Sequence, residues 1–127
     1  MMSEKIERFE QLRVYQKACE LDLAVFEETK RWPREEMYSL TDQIRRSSRS
    51  VGACISESWA KRRYPAHFVS KLTDADGELN ETRHWLYRAM EYKYLAETRG
   101  HELSANCDEI GGMLGRMIAM PGSFCGR

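Results

Sequence analysis

The chain has 127 residues, with 20 Lys and Arg against 20 Asp and Glu and 42% apolar residues; that is enough for one core, burying about two-thirds of the surface that the unfolded chain exposes. The balanced total excludes a protein whose whole surface attracts polyanions. No apolar run approaches the ~20 residues that span a bilayer, and the opening MMSEKIERFEQL is charged where a secretory leader would be apolar, so a soluble, cytoplasmic protein is expected.

The first predicted helix covers Gln11 to Lys30. Val14, Ala18, Leu21 and Val25 form one stripe, and Leu12, Tyr15, Cys19 and Phe26 a second beside it, so a broad face seeks burial. Trp32-Pro33 stops this helix, because the residue before proline avoids the α region. The connection KRWPREEMY is expected to pack on the bundle end through Trp32 and Tyr38.

Helix two should run from Leu40 to about Arg62, with Ser39 and Asp42 spaced as a capping box. Leu40, Ile44, Val51 and Ile55 share one face, and Ser47, Ser48, Gly52 and Ala53 leave room for another helix to approach closely. Tyr64-Pro65 breaks the chain and opens helix three. That helix follows Phe68, Leu72, Ala75, Leu79, Thr82, Leu86 and Ala89 to about Leu95, roughly 45 Å, with Gly77 expected at a close helix contact. Gly100 separates helix four, His101 to Met120, in which Leu103, Cys107, Ile110, Leu114, Met117 and Met120 line one side. Its three glycines, Gly111, Gly112 and Gly115, cost about 2–3 kcal/mol of intrinsic helix stability, so packing must hold it. The tail from about 121 is expected to be poorly ordered. No strand pattern or repeat competes, and the fold expected over residues 1–127 is one all-α domain, an antiparallel up-and-down four-helix bundle.

Chemistry-bearing patterns are sparse. Cys19, Cys54, Cys107 and Cys125 are far apart, without a C-x-x-C pair, and read as reduced structural thiols. Glu81 and His84 form E-x-x-H, and with Glu57 and Glu78 would make a metal-binding bundle enzyme if all four converged. A ferritin-like centre, however, needs a second such pair, which the chain lacks. No nucleophile elbow or phosphate loop exists, so neither catalysis nor a cofactor is expected. A polar link among Arg46, Glu57 and Glu81 would instead hold register, with Arg45 and Arg83 as further partners for the carboxylates. Residues 40–64 carry six cations, Arg45, Arg46, Arg49, Lys61, Arg62 and Arg63, against Asp42 and Glu57. These six are the candidates for RNA or DNA phosphates, and Trp32, Trp59 and Trp85 are candidates to stack on bases.

The motifs together resemble a known family. Phe9-x-x-Leu12-x-Val14-Tyr15-Gln16-Lys17-Ala18, Trp32-Pro33 with Glu36, Tyr38 and Leu40, and above all LTDQIRRSSRSVGACISES are similar to the four-helix-bundle proteins encoded in 23S ribosomal RNA intervening sequences. Phe68, Leu72, Ala75, Gly77, Leu79, Glu81, Leu86 and Ala89 fit the third helix of that pattern. Cys54 stands where the family usually has Asn and Ser58 where it has Gly, whereas Arg46 and Glu57 are retained. The resemblance implies a homopentamer without enzymatic activity. It extends distantly to the accessory variability proteins of diversity-generating retroelements, strongly basic barrels that bind nucleic acid and a reverse transcriptase. For this neutral chain it leaves RNA, DNA or a protein as the partner class, with a structural product of the intervening sequence that has no cellular partner as the alternative.

Overall fold

A computed structural model describes residues 5–125, and among these every regular element is helical. Helix α1 spans Arg13–Thr29, α2 Leu40–Ala60, α3 Pro65–Glu91 and α4 Glu97–Ala119, with 3-10 turns at Phe9–Gln11, Arg34–Glu36 and Pro121–Ser123. They form a four-helix bundle around the stripes read from the sequence. Val14, Ala18, Leu21 and Val25 meet Ile44, Val51 and Ile55, Phe68 through Ala89, and Leu103, Cys107, Ile110 and Leu114 in one buried cluster. The row of small residues on α2 does its expected work on two sides. Ser47 reaches Thr82 of α3, their hydroxyl oxygens 2.8 Å apart, and Gly52 lies under Tyr15 of α1, where a β-carbon would sit 3.6 Å from the ring.

Several helix ends differ from expectation for local reasons. Ser39 makes no side-chain cap, because its backbone (φ −125°, ψ −106°) is not the extended conformation that aims a cap hydroxyl at the helix. Glu36 replaces it: its carboxylate accepts from the Leu40 N–H at 3.3 Å and from the Tyr94 hydroxyl at 2.9 Å. Helix α3 stops at Glu91, short of Leu95. Lys93 turns left-handed (φ 69°), and the N–H groups of Tyr94 and Leu95 fold back onto the Ala89 carbonyl at 2.9 and 3.3 Å. The reversal is therefore made at Lys93, and Gly100 lies inside the first turns of α4. A β-carbon there would overlap the Met90 side chain, which would have to move aside.

Two glycine and aromatic expectations are also reversed. Gly77 meets nothing within 4 Å, whereas at Gly111 a β-carbon would sit 3.5 Å from Leu79 Cδ2, an ordinary packing contact. Trp32 is buried in the bundle end, but Tyr38 is 93% exposed and packs on nothing there. The tail expected to be loose is docked as far as Cys125: Phe124 stacks on Phe68 with ring centroids 6.1 Å apart, and Cys125 is buried. Gly126 and Arg127 lie outside the described residues.

These contacts separate two kinds of substitution. Gly77→Ala should stabilise the protein by about 0.5–1 kcal/mol, since the site is open, helical and exposed. Leu79→Ala, two residues on and fully buried, should cost about 2–5 kcal/mol. Urea midpoints of the two variants check this, and a destabilised Gly77→Ala would restore the close-contact reading.

Candidate nucleic-acid interface

The six cations of residues 40–64 fall into two groups, because α2 rises about 1.5 Å per residue and Arg49 and Lys61 are therefore about 18 Å apart along it. In the first group Arg45 is committed to packing. Its Nε donates to the Thr29 hydroxyl at 2.7 Å, and its guanidinium lies 4.9 Å from the Phe26 ring centroid. Arg49 flanks the same ring at 5.8 Å. Burial pushes the nearby Asp22 carboxyl above its usual range, and the charge of Arg49 opposes that shift. Arg46 is exposed and reaches only Gln43, at 3.5 Å. Arg46 and Arg49 border a cleft of about 260 Å³ that also contains Asp42, whose charge offsets one of theirs.

The second group sits at a bundle end. Lys61 and Arg63 are exposed, while Arg62 is stacked on Trp59 with its guanidinium 3.6 Å from the ring centroid and Nε donating to the Trp59 carbonyl at 2.9 Å. The fold brings further cations to this end that are far away in sequence. Arg62 is close enough to the Cys125 thiol to oppose the upward push of burial on it; Phe124, beside Cys125, shares an apolar slot with Ile6, Arg13 and Arg116. Segments 5–13, 58–68 and 116–125 thus carry seven cations, Lys5, Arg8, Arg13, Lys61, Arg62, Arg63 and Arg116, against Glu7 and Glu10. Segments 27–42 and 88–102, at the other end, carry eight carboxylates against six cations. Lys5, Arg8, Arg13 and Arg116 escape a reading of local charge because only the chain's path around the bundle unites them with Lys61 to Arg63.

The aromatic candidates also change. Trp32 and Trp59 are buried, and the Trp85 indole is half-buried and donates to Glu81 at 3.1 Å. The exposed aromatic at the basic end is Tyr64, tilted against His67 with ring centroids 5.5 Å apart.

The polar link proposed among Arg46, Glu57 and Glu81 does not form. Arg46 and Glu57 are eleven residues apart on a straight helix, about 16 Å, and each finds a nearer partner. Glu57 pairs with Lys71 of α3 at 3.0 Å, and this hydrogen bond holds the Lys71 ammonium above its ordinary pKa. Arg83 crosses to Asp108 of α4 at 2.8 Å instead of meeting Glu57 or Glu81. The metal alternative fails on the same geometry: His84 is exposed against Trp85, Glu57 is held by Lys71, and no group of three or more potential ligands gathers among the described residues. Further pairs link α1 to α4, Lys17 with Glu109 at 3.3 Å and Glu28 with Arg99 at 3.1 Å.

All four cysteines are free, and burial raises the Cys54 thiol and pushes Cys107 up to about 11, with Arg83 pulling Cys107 the other way. Above pH 9, the ordinary value, the unfolded chain releases the Cys107 proton while the folded one keeps it. The unfolded state then binds fewer protons, so stability falls as pH rises from 9 to about 11 and is untouched by this group below 9. Across that window the wild type should lose up to about 2 kcal/mol more than Cys107→Ala. Denaturant midpoints against pH test it, and parallel curves for the two proteins would remove Cys107 as the cause.

Comparison with known proteins agrees with this architecture. Residues 10–116 match the family described as 23S rRNA-intervening sequence protein. Among solved structures, the chain is similar to a protein of unknown function from the S23 ribosomal protein family of Bacteroides thetaiotaomicron VPI-5482, with 28% identity and a TM-score of 0.75 over 83% of this chain and 97% of that one. No curated protein matches.

Proposed function

The chain belongs to the 23S rRNA-intervening sequence protein family, and we propose that it is a non-enzymatic, oligomeric bundle that holds RNA against its basic end. The observation that carries this reading is the gathering of seven cations against two carboxylates at that end, with Tyr64 exposed among them. Lysine and arginine supply phosphate contacts that set affinity and register, and an exposed ring offers a stacking surface for an unpaired base. The carboxylates and guanidinium with the best claim to chemistry, Glu57, Glu81 and Arg83, are occupied in linking helices or bracing Trp85. This supports an architectural role over a catalytic one.

An antiparallel up-and-down order fits the cross-helix contacts. Moving from Lys17 to Glu28 on α1, the partners step back from Glu109 to Arg99 on α4; moving from Ser47 to Glu57 on α2, they step back from Thr82 to Lys71 on α3. Assembly as a homopentamer has support in large apolar side chains left outside the core, Leu23 at 59% exposure and Tyr38 at 93%. Five copies with a common orientation around an axis would set five basic ends on one face and multiply weak phosphate contacts into avidity. The four free thiols fit a reducing cytoplasmic location.

Fluorescence anisotropy with a labelled RNA oligonucleotide, measured between low and physiological salt, tests the binding role. Lys61→Glu with Arg63→Glu should weaken binding at least about tenfold and flatten the salt dependence by about two units of slope, while Arg46→Glu should do much less. No binding at low salt, or an unchanged affinity in the double variant, would overturn the assignment. Sedimentation should show a species of five chains; a monomer that persists on concentration would rule out the pentamer.

A further inference from the structure

Two of the seven cations at this end, Arg13 and Arg116, also border an apolar slot. The slot, of about 380 Å³, opens between the start of α1 and the end of α4, with Ile6 and Leu12 on the first side, Met113, Met117 and Met120 on the second and Phe124 closing it. Its volume falls in the range of small-molecule sites, which are apolar with a few placed polar groups. Those groups are here of one kind. Arg13 and Arg116 are the charged residues of the lining, and no carboxylate among the described residues lies within 4 Å of either as an ion pair. Arg116 is laid back along α4 toward Gly112, where a β-carbon would sit 3.7 Å from its terminal nitrogen, an ordinary contact.

We propose that this slot binds a free long-chain carboxylic acid, its alkyl chain among the methionine and aliphatic walls and its carboxylate accepting hydrogen bonds from Arg13 and Arg116. The chemistry of the walls selects this class. The one neutral polar side chain in the lining is Ser123, too little to read the edge of a nucleobase or a sugar, whereas thioether and aliphatic surfaces conform to a flexible alkyl chain. Two guanidiniums without carboxylate partners favour an anionic head over a neutral or cationic one, because a charge-assisted pair needs no competing ion pair to break first. The slot shares Arg13 and Arg116 with the basic end, and the two readings separate at Lys61 and Arg63: replacing those two tests RNA binding and leaves the slot intact.

Isothermal titration with dodecanoate below its micellar concentration tests it on the intact chain. Saturable binding of one molecule per chain is expected, with 1-dodecanol at least about tenfold weaker and dodecyltrimethylammonium weaker still. Arg13→Gln combined with Arg116→Gln should also lose at least about tenfold, while thermal unfolding shows the variant folded, since both side chains are exposed. Met120→Trp, at a position 64% exposed, should obstruct the slot and reduce binding without disturbing the core. Non-saturable uptake, equal binding of the cationic amphiphile, or an unaffected double variant would overturn the proposal. So would a change of assembly state in Met120→Trp, which would give the slot to a second copy.

Discussion

The bundle depends on how closely α2 and α3 approach, and that approach is made by a buried hydroxyl pair. Thr82 donates to the Glu78 carbonyl one turn back, at 2.9 Å, which leaves its oxygen free to accept from Ser47 at 2.8 Å. Both residues are almost completely buried, so every donor and acceptor left unmade here would be expensive. A one-turn slip of α2 against α3 would separate the pair and leave each hydroxyl only its own helix's carbonyl, Ile44 for Ser47 at 3.3 Å and Glu78 for Thr82 at 2.9 Å. Serine at position 47 therefore does what alanine could not: it is small enough for the backbones to come together, and it fixes where along the helix they do so. Ser58, also buried, satisfies its hydroxyl within its own helix, on the Ile55 carbonyl at 2.6 Å, so it grants proximity without specifying register.

With α2 and α3 set, the outer charges can be spent elsewhere. The ion pairs that cross between helices, Glu57 with Lys71, Arg83 with Asp108, Lys17 with Glu109 and Glu28 with Arg99, each have at least one partner well exposed to solvent. Pairs of that kind contribute about 0–1 kcal/mol each and weaken with salt. They trim the register that packing has already chosen. This is why the arginines of the LTDQIRRSSRSVGACISES stretch have divergent fates: Arg45 is drawn inward by Phe26 and Thr29, Arg46 stays in water, and no inner carboxylate waits for either. Its small residues are architectural, and its arginines are largely peripheral.

Periodicity made the core legible. The stripes of Val14 to Val25, Leu40 to Ile55, Phe68 to Ala89 and Leu103 to Met117 are the buried faces, since burial on a helix follows from spacing alone. Residues whose roles depend on a tertiary neighbour were not legible. Gly100 looked like a terminator, but it lies inside α4 against Met90; Gly77 looked like a contact, and it has no neighbour within 4 Å. Glu36 took the capping role from Ser39 because the Arg34–Glu36 turn carries its carboxylate to the first N–H groups of α2, a geometry that spacing does not encode. At the candidate site, Lys61 to Arg63 stood out because they are consecutive. Arg13 and Arg116 could be joined to them only by the path of the chain.

That same path reconciles a neutral chain with the binding of polyanions proposed for its basic end. Helix α3 alone has 27 residues and is about 40 Å long, so the two ends of the bundle are several screening lengths apart at physiological ionic strength, where the Debye length is about 8 Å. Charge at the Glu-rich end is then nearly invisible to an anion arriving at the basic one. What such an anion meets is the local balance of seven cations and two carboxylates, and the zero total is reached only by adding the excess of carboxylates at the far end and along the helix sides. The same screening makes the attraction short-ranged, so the end would select ligands by contact with Lys61, Arg63 and their neighbours and not by long-range steering. The zero total therefore says little about the proposed binding, which depends on how charge is divided along the bundle.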